Sequence, residues 1–176
     1  MRQRIFIIIG FAAVALVAAS AALAGTLTTT ATVSGTAGTS LNLPANPSIS
    51  DTLTGADQTV SYAPLLGVVD ARGSGAGWNL TVSATTFSDG LGHTLAPGTV
   101  SAVTQACNSG SSCTAATNAI TYPLTVNGTA AKFFNAAANS GLGQINITPT
   151  IQVAIPGNSY AGTYTSTVTL AATTGP

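Results

Sequence analysis

Residues 70–84 read DARGSGAGWNLTVSA, and the fold class turns on the residues just after the glycines. Gly73, Gly75 and Gly77 suggest a phosphate-binding loop. Such a loop needs a strand before it and a helix after it, so that the helix N-terminus faces the anion. The run after Gly77 instead alternates. Trp78, Leu80, Val82 and Ala84 fall on one face, and Asn79, Thr81, Ser83 and Thr85 on the other. Period two with β-branched residues is a strand with one buried side. The stretch is therefore a glycine turn leading into a core strand, and the phosphate-loop reading fails.

The rest of the chain keeps the same rhythm. Alternating or β-rich runs occur at 26–35, 40–45, 59–71, 99–104, 119–126, 143–156 and 161–172. The run at 59–71 is interrupted near Pro64 and Gly67. In the last run Tyr164, Ser166, Val168 and Leu170 share a face, and threonines line the other. Glycine, asparagine, serine and proline fill the gaps, as turns require. Only TAAKFFNAAANSG (129–141) has helix-like residues. Lacking a long amphipathic pattern, it reads as a loop or one or two helical turns. The expectation is an all-β chain of eight or so strands, in a single antiparallel β-sandwich or Greek-key-like domain.

The N-terminus is of a different kind. MRQR precedes the apolar run IFIIIGFAAVALVAA, and Ala22-Leu23-Ala24 offers a small-x-small site before Gly25. This is the layout of a secretory signal peptide over residues 1–24, with the β-domain at 25–176 and no stable membrane span after cleavage. The competing reading is an uncleaved anchor, since the apolar stretch approaches spanning length. From Gly25 onward the cations are Arg72 and Lys132, against Asp51, Asp57, Asp70 and Asp89. No basic patch exists to neutralise a phosphate backbone, so nucleic acid is not an expected partner. Cys107 and Cys113 flank the turn CNSGSSC. On the secreted side they suit a loop-pinning disulfide; two free thiols or a poor metal site are the alternatives.

Candidate chemistry is sparse. The chain has one histidine, His93, in the loop SDGLGHTL, and no glutamate. It contains no G-x-S-x-G elbow and no H-E-x-x-H. An unpartnered loop histidine reads as a surface residue rather than a general base. The four aspartates are not marked as a paired-carboxylate site, and Asp51 and Asp57 read as turn residues. Ser88-Asp89-Gly90 could join Asp70 in at most a casual calcium site. The expectation is no enzyme, no cofactor and no metal. Trp78 reads as a core aromatic aligned with Leu80 and Val82, or as a rim aromatic for glycan or protein contact. Asp70 and Arg72 are placed to pair with each other or with turn backbone groups.

These residues resemble the WxL domain, a C-terminal β-domain of secreted bacterial surface proteins. Asp70-Ala71-Arg72-Gly73 followed by Gly77-Trp78-Asn79-Leu80-Thr81-Val82 looks like its first signature. Tyr160-Ala161-Gly162-Thr163 leading to Val168-Thr169-Leu170 looks like the second, with valine where the family pattern expects tryptophan. The similarity runs from about Leu41 to Pro176. It implies a secreted, non-enzymatic protein held non-covalently at the cell wall or cell surface, with peptidoglycan or another wall polymer as ligand and other surface proteins as further partners. The replacement at Val168 puts in question a wall contact in which two tryptophans act together. An alternative from another class is a pilin- or fibre-like subunit. There the run at 26–35 would add as a strand to a neighbouring copy.

Overall fold

The strand read from residues 78–84 sits at the centre of the smaller of two sheets. The computed structural model of the protein describes residues 31–35 and 38–176. The expected signal segment at 1–24, and residues 26–30 of the first alternating run, lie outside the described residues. Residues 31–35 belong to no strand.

The described residues form eleven strands: β1 (Thr39–Asn42), β2 (Gln58–Tyr62), β3 (Leu66–Asp70), β4 (Trp78–Ala84), β5 (Phe87–Ser88), β6 (Thr94–Leu95), β7 (Thr99–Cys107), β8 (Leu124–Thr125), β9 (Ala131–Ala136), β10 (Gly143–Ile155) and β11 (Val168–Thr174). One sheet has the order β1-β3-β10-β7-β8, with β2 also on β10; the other is β11-β4-β9; β5 and β6 form a hairpin. Every strand pairing among them is antiparallel. Among the described strands, only β5–β6 and β7–β8 pair neighbours in sequence.

Both sheets turn their apolar faces inward. Trp78, Leu80, Val82 and Ala84 of β4 meet a core to which β3 brings Leu66 and Val68 and β10 brings Ile145, Ile147 and Ile151. The alternation of β10 extends over thirteen residues, because one strand serves three partners. It pairs along β7 on one side, and on the other with β3 through Gly143–Ile147 and β2 through Ile151–Ile155. Pro149 falls between those two segments. A residue that cannot donate to the ladder is tolerated where the neighbouring strand changes. The break between β2 and β3 is at Ala63-Pro64-Leu65, and Gly67 lies within β3.

Three segments depart from the sequence reading. Residues 129–141 are not helical: their centre is β9, paired with β4. A register shift between Leu80 and Thr81 leaves Phe133 as the extra residue of β9, and both Phe133 and Phe134 are buried. The bulge breaks period two, which is why the pattern concealed the strand. Within 119–126 only Leu124–Thr125 is strand, following a cis Tyr122–Pro123 peptide. In the terminal run the strand begins at Val168; before it, Thr165 makes a single bridge to Ser88.

Cys107 and Cys113 form a disulfide, with Cα atoms 5.5 Å apart. Cys107 is opposite Ile145 and Cys113 is bridged to Gly143, so the crosslink clips a small loop against the start of β10. Closing so short a loop removes little chain entropy. Replacing both cysteines by serine is expected to lower stability by about 2 kcal/mol or less and to keep the fold. Thermal melts of the double variant check this.

Candidate functional site

The turn between β3 and β4 is built around a buried ion pair. Asp70 ends β3 with its side chain fully enclosed, and Arg72 folds back on it. Arg72 Nε donates to Oδ1 at 2.8 Å and Nη2 to Oδ2 at 2.7 Å; Nη2 also donates to the Gly77 carbonyl at 2.7 Å. The Arg72 backbone N–H adds a bond to Oδ1 at 3.1 Å. This two-pronged geometry is the strong form of a charge-assisted hydrogen bond. The Arg72 guanidinium holds the Asp70 carboxyl below its ordinary value, outweighing burial, and Asp70 raises Arg72 in turn.

Glycine is required at the end of this turn. Gly77 has φ 73°, and a Cβ there would lie 2.5 Å from the Ala136 carbonyl oxygen of β9. Gly73 also has positive φ but faces open space. The Gly77 carbonyl, besides accepting from Arg72, accepts from the Gly175 N–H at 3.1 Å. Beside it, Asn79 Nδ2 donates to the Gly175 carbonyl at 2.8 Å, and Thr173 Oγ1 donates to Asn79 Oδ1 at 2.9 Å. The first signature is thus a clasp on the last strand. It joins segments almost a hundred residues apart.

Trp78 has no exposed surface. Its Nε1 donates to the Gly141 carbonyl at 2.8 Å, and its ring lies 5.8 Å from that of Phe134. Gly141 has φ 72°, and a Cβ there would lie 2.7 Å from Trp78 Nε1. Leu80 is likewise buried, whereas Leu170 packs against the core only partly covered.

The Tyr160-Ala161-Gly162-Thr163 segment lies elsewhere, against the β5–β6 hairpin. Tyr160 is exposed, and its ring stacks on His93 with centroids 3.8 Å apart and planes 16° apart. His93 Nδ1 is 2.5 Å from Asp89 Oδ2. Asp89 Oδ1 accepts the backbone N–H groups of Leu91 and His93 at 2.8 and 3.1 Å. Burial works to raise Asp89, but the His93 ring and these N–H groups hold it below its ordinary value. Tyr164 O–H donates to the Tyr160 carbonyl at 3.0 Å. A Cβ on Gly162 would sit 3.7 Å from that of Asp89. His93 is therefore not unpartnered, contrary to the sequence reading. A carboxylate four residues earlier and a tyrosine far along the chain flank it. The Asp89–His93 spacing was a usable signal, while Tyr160 could be added only by folding. Asp70 and Asp89 are each engaged by a cation or ring of their own, and no metal-binding group of three ligands occurs among the described residues.

A family model described as "WxL domain surface cell wall-binding" matches residues 30–176, spanning both signatures and every strand. The chain belongs to the WxL family. No curated protein matches it. Family membership makes this a non-catalytic, wall-associated type of domain.

The WxL signatures take on separate roles in this geometry. β4 and β11 run antiparallel, with Trp78 opposite Thr174 and Val168 opposite Ala84. Trp78 and the position of the second tryptophan therefore lie at opposite ends of the ladder, about 20 Å apart at the usual rise per residue. Trp78 is in addition fully enclosed, so it offers no surface to a ligand touched by residue 168. Val168 is 40% exposed. It lies at an apolar pocket of about 120 Å³ whose wall includes Pro44, Pro47, Tyr62, Pro64 and Leu170. Among the described residues no helix is long and apolar enough to cross a membrane.

Proposed function

We propose that this protein is secreted and binds peptidoglycan non-covalently through the β-domain, serving as a wall-associated surface module. The observation that carries the reading is the family match over residues 30–176, a surface cell-wall-binding family. The charge pattern supports a neutral ligand face. Arg72 is consumed in the buried pair, and Lys132 donates to the Pro176 carbonyl. That leaves no basic cluster for an anionic polymer among the described residues.

The test is co-sedimentation of the secreted protein with purified peptidoglycan, followed by release with denaturant. Protein that stays in the supernatant at every wall concentration would sink the proposal. Val168→Trp is a second measurement. Its site is half-exposed, so stability is expected to stay within about 0.5 kcal/mol. An added aromatic at the pocket mouth is expected to raise the bound fraction.

A further inference from the structure

We infer that Tyr160 and His93, oriented by Asp89, form a sugar-stacking subsite for the neutral hexopyranose units of a wall glycan. The inference rests on the wall-binding reading and gives it a location. Three observations converge on the same patch of surface.

The first is the exposed aromatic. Tyr160 keeps 63% of its surface open to solvent, although its ring is anchored on one face by His93. A tyrosine free to rotate would pay side-chain entropy on binding. One already stacked, with its carbonyl held by the Tyr164 hydroxyl, loses less. The C–H face of a pyranose packs against an open aromatic face of this kind, and the amphipathic ring suits a ligand that is itself half apolar.

The second is the polar arrangement beside it. Asp89 takes the Nδ1 side of the His93 ring. The other ring nitrogen, Nε2, donates or accepts according to the tautomer. No protein hydrogen bond to Nε2 occurs among the described residues. Sugar hydroxyls are donors as well as acceptors, so an oriented imidazole nitrogen next to a stacking face is complementary to them. Asp89 acts as a positioning residue: three bonds from Leu91 and His93 fix it.

The third is rigidity. The Ser88–Thr165 bridge is closed by two backbone hydrogen bonds of 2.9 Å. They lock the hairpin that carries Asp89 and His93 to the segment that carries Tyr160. A binding surface assembled from two chain segments holds its geometry only if the segments are fastened, and here they are.

The same hexopyranose chemistry occurs in peptidoglycan strands and in neutral wall polysaccharides, so the experiment uses both. The secreted wild-type protein, Tyr160→Ala and Tyr160→Phe are titrated against peptidoglycan stripped of attached polymers and, separately, against isolated neutral wall polysaccharide. Tyr160→Ala is expected to weaken binding to one of these about tenfold, with an unchanged melting temperature and unchanged emission from buried Trp78. Tyr160→Phe, which keeps the ring, is expected to bind within about twofold of wild type. Wild-type binding to walls with Tyr160→Ala equally tight would overturn the subsite and leave the wall reading standing. Equal losses in Tyr160→Phe and Tyr160→Ala would overturn the stacking role. Wild type that binds neither polymer would overturn the wall reading itself, and the subsite with it.

Discussion

Replacing Trp78 with alanine is expected to lower the stability of the domain by about 3–5 kcal/mol, the usual cost of truncating a fully buried large aromatic. Two losses combine. The indole fills the core against Phe134, and the space it leaves is bounded by β9 and the Gly141 turn, which are held by other bonds and cannot close fully. The Gly141 carbonyl also loses its Nε1 donor in a place where Gly141 is buried. An unpaired buried acceptor adds to the penalty. Denaturant titration of Trp78→Ala and Trp78→Phe measures both parts. The phenylalanine variant is expected to recover much of the packing and none of the hydrogen bond. An alanine variant with wild-type stability and lost wall binding would make Trp78 a contact residue and contradict its buried placement.

The second large effect is at Arg72. Arg72→Met is expected to destabilise the domain by about 3–5 kcal/mol at neutral pH, because it strands the Asp70 carboxylate in the interior. It also removes the donor that ties the Gly77 carbonyl to the turn. Changing both partners, as in Asp70→Leu with Arg72→Met, is expected to cost less than Arg72→Met alone, since no buried charge is then left unpaired. The pH dependence has a definite sign. In the wild type Asp70 is lowered on folding. Its contribution is therefore complete above the unfolded carboxyl value of about 3.9, and it is lost as pH falls through the lower folded value. In Arg72→Met only the backbone N–H of residue 72 still opposes burial, so the carboxyl rises relative to the wild type and the variant gains relative stability on protonation. The stability gap between the two proteins is expected to be widest near pH 7 and to narrow below about pH 4. A gap that stays flat across that whole range would show that the ion pair contributes nothing beyond packing.

Much of the local architecture could be read from residue order. The 78–84 alternation identified β4 and its inward face, because a single strand packed on one side imposes period two on its own residues. The same held along β10. It failed at β9, where the extra residue Phe133 places two consecutive phenylalanines inside. It overshot at 161–167, where threonines alternating with Tyr164 and Ser166 form a loop with one bridge rather than a strand.

By itself the sequence determined an all-β chain, a glycine turn into a core strand and a disulfide-capable loop, and its signatures pointed to a wall-associated family. These are properties of neighbouring residues, written in spacing and composition. Only the tertiary structure decided what those residues do together. It made Asp70, Arg72 and Gly77 a clasp that reaches Gly175. It set Trp78 and Val168 at opposite ends of one ladder, and it brought Tyr160 onto His93. The reason is that pairing here is overwhelmingly non-local. Register between strands far apart in the chain depends on cross-strand packing and bulges, which no short stretch of sequence contains.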